Sequence, residues 1–176
     1  MVSKRVVLRG LELSDVDELM KYWNLKEVKR FLLSVGPNAK EEEIEWIRGT
    51  WERRKKGQDY VFGIIVKEEN LYIGNVEIGI RNQINRRGYL GIAIFNPSYW
   101  GRGFGTEAIQ LIIDYGFKNL NLNSIELEVF ESNARARRCY EKAGFKEVGR
   151  RREAQFFEGN YIDSIVMDIK SSEWET

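Results

Sequence analysis

Three glycines at alternate positions, Gly101, Gly103 and Gly105, stand within Trp100-Gly101-Arg102-Gly103-Phe104-Gly105-Thr106, between a strand pattern and the most regular helix pattern of the chain. Residues without a Cβ let the backbone turn tightly and come close to a ligand. The free N–H groups of the helix start, reinforced by the helix dipole, then favour an anion, and a pyrophosphate is the guest such a loop suits. The same letters also describe a plain structural turn. No Lys-Ser/Thr follows the glycines, which excludes a Walker loop. Three strand patterns of antiparallel type precede it, whereas a Rossmann loop opens the first βαβ unit of a parallel sheet. A second segment runs from Asn133 to Phe145. Asn133 suits a helix cap, Ala136, Tyr140 and Ala143 share a face, and Arg135, Arg137, Arg138 and Lys142 form a basic side. Taken alone, it describes a short amphipathic helix with a core tyrosine.

Composition limits what these segments can do. The 176 residues contain no His and one Cys, Cys139. Ser-His-Asp and Cys-His catalysis, ordinary zinc sites and an internal disulfide are therefore excluded, and no metal is expected. Catalysis must run on carboxylates, Tyr, Lys/Arg and backbone groups. With 28 basic and 27 acidic residues the net charge is +1, which argues against a dedicated nucleic-acid partner. Arg150-Arg151-Arg152 is a dense basic run and adjoins Glu153. No apolar run approaches the roughly 20 residues of a membrane span, and the N-terminus lacks the apolar block of a signal peptide. A cytoplasmic chain with no membrane association is the expectation.

The elements that must position the two segments follow from periodicity. Residues 4–9 read as a strand, and Ser14 with Asp17 as the capped start of a helix bearing Val16, Leu19 and Trp23. Val28, Phe31 and Leu32 suggest a short helical continuation. Asn38 with Glu41 marks a second helix carrying Ile44, Ile47 and Trp51 and ending at Gly57. Residues 60–66, 71–80 and 88–95 are β-branched and aromatic, hence strands. From about Phe104 to Leu120, Ile109, Ile112, Ile113, Gly116 and Phe117 keep helical spacing. A strand over 124–130, a helix over 133–143 and strands near 145–152 and 161–169 complete the chain. The expected fold is a single α/β domain over 1–176, with a mixed, mostly antiparallel sheet flanked by helices in the order β α α β β β α β α β β.

At this separation the two segments resemble the GCN5-related N-acetyltransferase (GNAT) superfamily. Its loop has the form Q/R-x-x-G-x-G/A, and its next block is N-x-x-(S/A)-x-x-x-Y-x-K-x-G-F. The first is met from Trp100 to Gly105, with Trp in place of Gln/Arg. The second is met at Asn133, Ala136, Tyr140, Lys142, Gly144 and Phe145. The Trp, and the C-terminal Arg152, Glu153, Ala154, Phe157, Gly159, Asp163 and Met167, look like the branch of ribosomal-protein N-terminal alanine acetyltransferases and spermidine acetyltransferases.

The resemblance implies acetyl-CoA as co-substrate. Its pyrophosphate would be held by Trp100, Gly101, Arg102, Gly103, Phe104, Gly105 and Thr106. Its pantetheine arm would lie between diverging strands 88–95 and 124–130, bonded to the backbone of Ala93, Ile94 and Phe95. An N–H of Ile94 or Phe95 would polarise the thioester carbonyl. Tyr140 would protonate the departing thiolate, Asn133 would contact the pantetheine or cap its helix, and Lys142 with the neighbouring arginines would offer charge to the 3′-phosphate. No covalent enzyme intermediate is needed, and Cys139 is read as a small buried hydrophobe pointing away from the site.

For the base, Glu77 is the best carboxylate by position, with Glu128 and Glu126 behind it. An amine of pKa near 10.4 costs roughly 4 kcal/mol to deprotonate at pH 7, an α-amine near 7.8 about 1. A site lacking an evident strong base therefore leans to a peptide or protein N-terminus. Polyamines are the alternative acceptor, and Glu41-Glu42-Glu43 and Glu45, at the start of the second helix, could bind a cation. A non-catalytic acyl-CoA sensor stands as the reading of a different class. Trp23, Trp46, Trp51 and Phe31 are candidates for the groove wall or the core. A homodimer paired through late strands is left open.

Overall fold

Residues 1–32 and 36–174 are described by a computed structural model of the chain. The β-branched and aromatic runs form strands β1 (Val6–Arg9), β2 (Asp59–Val66), β3 (Leu71–Asn82), β4 (Arg87–Ile94), β5 (Ser124–Phe130), β6 (Lys146–Phe157) and β7 (Asn160–Lys170). The helical patterns form α1 (Val16–Met20), α2 (Lys26–Lys29), α3 (Lys40–Lys55), α4 (Phe104–Lys118) and α5 (Ala134–Lys142). The strands make one seven-stranded sheet in the order β1-β2-β3-β4-β5-β7-β6. Every neighbouring pair is antiparallel except β4–β5.

Alternation along the strands divides the core in two. On one face, Phe62, Ile64, Val76, Ile78, Leu90, Ile125, Leu127 and Val129 pack with Ile109, Ile112 and Ile113 of α4 and Tyr140 of α5. On the other, Val61, Ile65, Tyr72 and Phe95 pack with Val16, Leu19, Val28 and Ile47 from α1 to α3. Each isoleucine of the α4 stripe is fully buried, and such a side chain contributes about 1.5–3 kcal/mol. That burial anchors the helix whose first turn carries the glycine loop.

Four local expectations are corrected. The first helix is entered through a 3₁₀ turn, Leu13–Asp15, in which Asp15 rather than Asp17 accepts from the backbone, taking the Glu12 N–H at 2.9 Å. Arg9 holds this buried carboxylate from two nitrogens, at 2.6 and 2.8 Å, and so selects it. The second helix starts one residue later than expected, with the Ala39 N–H donating to Glu42 at 2.6 Å. Helix α2 ends at Lys29, before Phe31 and Leu32. The last two strands also run longer than expected. They meet at Glu158 (φ 47°) and Gly159 (φ 88°), a two-residue turn with both φ positive that lets pairing begin at Phe157↔Asn160.

Candidate active site

Strands β4 and β5 pair only through Arg87↔Ser124, Gly88↔Ile125 and Tyr89↔Glu126, and beyond Tyr89 they part. The gap opens into a groove of about 1290 Å³ lined by Leu90–Ile94 of β4, Glu126–Phe130 of β5, the glycine loop, one side of α5, and residues of α2, α3 and the turns beside them.

Strand phase decides which backbone groups face this gap. In an antiparallel ladder alternate residues direct their N–H and C=O to the same neighbour. The Phe95 N–H donates to the Ile73 carbonyl at 3.0 Å, and Ala93, in phase with it, is paired with Asn75. Backbone bonding to a ligand by Ala93 and Phe95 is therefore corrected: both point their groups into β3, and the Phe95 side chain is fully buried. Ile94 and Ile92 face the gap. The Ile94 carbonyl already accepts from the Trp100 indole N–H at 2.7 Å, which pins the loop to the strand end and leaves the Ile94 N–H facing the gap. Ile92 went unremarked in the sequence, although its spacing of two from Ile94 was the available signal.

Gly103 caps α4 with φ 88°, a left-handed conformation that disfavours any side chain. Trp100, Gly101, Gly103, Gly105 and Thr106 line the groove. The side chains of Arg102 and Phe104 lie elsewhere: Phe104 is buried against Tyr99, and the Arg102 guanidinium stacks over both rings at 5.1 and 5.3 Å. These two can offer only their backbone. The Arg135 guanidinium lies 3.7 Å from the centre of the Trp100 ring, and Arg135, Arg138 and Lys142 line the same end of the groove. Asn133 caps α5, accepting from the Ala136 N–H at 3.2 Å, and also lines the groove. Cys139 does not point away: it meets Thr106 Oγ1 at 3.3 Å beside Gly105, and burial pushes its thiol pKa up, away from the thiolate.

Tyr140 is buried with its ring edge-on to Phe145, and its hydroxyl has no hydrogen-bond partner among the described residues. Burial, with a smaller push from Cys139, holds its pKa well above the ordinary tyrosine value, so it is a protonated donor facing the groove.

Three carboxylates were candidates for a base, and their surroundings separate them. Glu126 is clamped by Arg81 at 2.6 Å and Arg87 at 2.5 Å. Glu128 is held by Arg151 at 3.0 Å and accepts from Ser164 at 3.1 Å. Glu77 has no hydrogen bond or ion pair among the described residues and extends over Gly91, its partner in β4. Burial, and then the negative charge of Asp59, raise its pKa against the opposing pull of Arg53. Asp59 is itself held by Arg53 at 2.9 Å and by the Tyr89 hydroxyl at 2.9 Å. Glu77 is thus the carboxylate with lone pairs and basicity to spare.

Glu27, Glu42 and Glu43 line the far end of the groove with Trp23, Phe31 and Trp46. Glu43 is only 3% exposed, and burial raises its pKa. Glu41 and Glu45 face solvent, and Trp51 turns away to donate to the Leu11 carbonyl at 3.0 Å. The described residues contain no cluster of metal-ligating side chains and no helix long and apolar enough to cross a membrane.

Residues 5–146 match the family described as the acetyltransferase (GNAT) domain. An uncharacterized N-acetyltransferase p20 of Bacillus licheniformis is 31% identical over 172 residues, 98% of this chain and 96% of that protein. A putative ribosomal N-acetyltransferase, YdaF of Bacillus subtilis, is 24% identical over 99% of this chain and 96% of its own length. Among solved structures, spermidine N-acetyltransferase from Vibrio cholerae in complex with CoA and spermine superposes with a TM-score of 0.85 at 28% identity, covering 97% of this chain and 98% of that one. The chain belongs to the GNAT acetyltransferases. It is an acetyl-CoA-dependent N-acetyltransferase, with acetyl-CoA as co-substrate.

Proposed function

We propose that the protein moves the acetyl group of acetyl-CoA to a primary amine of a polycationic small molecule of the polyamine class. One observation carries the acceptor class. Away from the glycine loop the groove is lined by Glu27, Glu42, Glu43 and Glu77, with Glu126 and Glu128 already held by Arg81, Arg87 and Arg151, whereas Arg135, Arg138 and Lys142 gather at the loop end. A wall of that sign favours an acceptor with more than one positive charge. The likeness to a spermidine N-acetyltransferase agrees with this.

In this reading the pyrophosphate lies on the N–H groups of Trp100–Thr106, and the pantetheine arm enters the gap between β4 and β5. The Ile94 or Ile92 N–H donates to the thioester oxygen where negative charge develops. Glu77 takes the proton of the amine, directly or through a water. The amine nitrogen bonds to the acetyl carbon, the carbon–sulfur bond breaks, and the Tyr140 hydroxyl gives its proton to the sulfur. Asn133 and Lys142 hold the pantetheine and phosphate ends. Attack is direct, and Cys139, kept as a thiol, takes no part.

A second reading, transfer to the α-amine of a peptide or protein N-terminus, is favoured by the likeness to a putative ribosomal N-acetyltransferase over nearly the whole chain. Its physical support was the lack of a strong base, and the unpaired Glu77 weakens that support.

The test is acetyl transfer from acetyl-CoA to spermidine, spermine, free lysine and peptides starting Ala, Ser or Met, followed by thiol release and product mass. Acetylated spermidine or spermine with inert peptides is the expected result. Acetylated peptide α-amines with inert polyamines would install the second reading. Tight CoA binding with no transfer to any of these would revive the sensor.

A further inference from the structure

Glu107 poses an electrostatic problem at the loop. It stands in the first turn of α4, where an acid stabilises the helix start but repels an anionic ligand bound there. Both of its carboxylate oxygens are occupied by residues preceding β1. Arg5 Nε donates to one oxygen at 2.5 Å, while the Ser3 hydroxyl at 2.7 Å and the Arg5 backbone N–H at 3.1 Å donate to the other. Burial works against the charged form, yet the Ser3 and Arg5 hydrogen bonds prevail and hold the carboxyl below the usual range, so Glu107 is ionised at neutral pH.

The same guanidinium reaches the loop itself. Arg5 Nη1 donates to the Arg102 carbonyl at 3.0 Å, and the guanidinium lies 4.7 Å from the centre of the Phe104 ring. Its other nitrogen stands where a Cβ on Gly103 would come within 2.9 Å. One side chain therefore touches residues 102, 103, 104 and 107, and it does so from outside the groove, which Arg5 does not line.

We propose that Arg5 is a positioning residue for acetyl-CoA: it cancels the Glu107 charge behind the glycine loop and fixes the Arg102 carbonyl, so that the loop presents its N–H groups to the pyrophosphate without a competing anion. The proposal rests on the placement of the pyrophosphate on Trp100–Thr106 given above. It separates two functions of Arg5, packing and charge cancellation, which predict different behaviour when Glu107 is also neutralised.

The experiment is CoA affinity by calorimetry, independent of any acceptor, for the wild type, Arg5→Ala, Glu107→Gln and the double variant, at low and high salt. Arg5→Ala should weaken CoA about tenfold at low salt and less at high salt, as expected of a charge screened over about 10 Å at 0.1 M. The double variant should recover most of that loss, with Glu107→Gln binding no weaker than wild type. A double variant as weak as Arg5→Ala, or a loss insensitive to salt, would overturn charge cancellation and leave a packing role alone. Should Arg5→Ala fail to fold, Arg5→Lys keeps the charge without the two-pronged contact and should bind within about threefold of wild type; a tenfold loss there would overturn the proposal equally. The loop is tested separately at Gly101, whose φ of 70° Asn and Asp both tolerate and beside which there is open space. Gly101→Asp should bind CoA far more weakly than Gly101→Asn. Equal affinities would remove the loop placement and this proposal with it, whereas a weak Gly101→Asp beside a normal Arg5→Ala would remove only the role of Arg5.

Discussion

Glu77 lies across Gly91: the two are register partners on β3 and β4, and a Cβ on Gly91 would come within 2.8 Å of Glu77 Oε1. The missing side chain is what lets a carboxylate rooted in β3 reach over β4 toward the gap between β4 and β5. Gly91→Ala is expected to displace the carboxylate while sparing the loop. Turnover should fall about tenfold or more, since misplacing a reacting group by about 1 Å can cost a hundredfold, with KM for acetyl-CoA unchanged. Steady-state kinetics at varied acetyl-CoA checks this, and an equal rise in KM would mean that β4 itself had shifted.

The raised pKa of Glu77 sets two opposite pH trends. As a base it works only when ionised, so kcat should fall as pH drops through a value above the ordinary carboxylate range, and Glu77→Gln should lose that acidic limb together with most of its rate. For stability the sign reverses. A group whose folded pKa lies above its unfolded value stabilises the fold at low pH, and that contribution is lost as pH rises through the folded pKa. Glu77→Gln should therefore unfold at a higher temperature than wild type at neutral pH and gain less, or nothing, at pH 4. Thermal unfolding at the two pH values measures the difference, and a less stable variant at neutral pH would contradict the burial penalty.

Tyr140 carries a hydroxyl without a hydrogen-bond partner among the described residues, in a buried position, with its pKa held well above the usual value. Tyr140→Phe should keep the fold and CoA affinity, since the ring and its contact with Phe145 remain. Its turnover should drop by about a hundredfold, within the range for loss of a general acid. Wild type should show no alkaline decline due to this phenol up to pH 10. Calorimetry for CoA alongside kcat between pH 6 and pH 10 provides the check, and a wild-type rate in the phenylalanine variant would remove Tyr140 as proton donor.

How far the sequence reached depended on how local each property was. The 3.6-residue spacing of Ile109, Ile112, Ile113 and Gly116, the strand over 124–130, and the Asn133 cap are set by neighbours within one or two turns, and all three appear where they were expected. The caps of α1 and α3 are not where local spacing puts them, because the choice between Asp15 and Asp17 is made by Arg9 on a neighbouring strand, and the start at Ala39 by its bond to Glu42.

The pair of motifs around Gly103 and Tyr140, at their separation, was enough to mark the chain as a GNAT acetyltransferase, because glycines, a cap and a tyrosine keep their chemistry wherever the chain carries them. Strand phase was not legible: whether Ile94 or Phe95 faces the gap between β4 and β5 depends on which neighbour takes the first ladder bond, and the Ile73 carbonyl takes that of Phe95. Nor could the sequence rank Glu77, Glu126 and Glu128, which are the same residue type on similar strands. Only the tertiary structure brings Arg81, Arg87 and Arg151 onto two of them and leaves the third half-buried and, among the described residues, unpaired, since ionisation is decided by solvent and by charges distant in the chain.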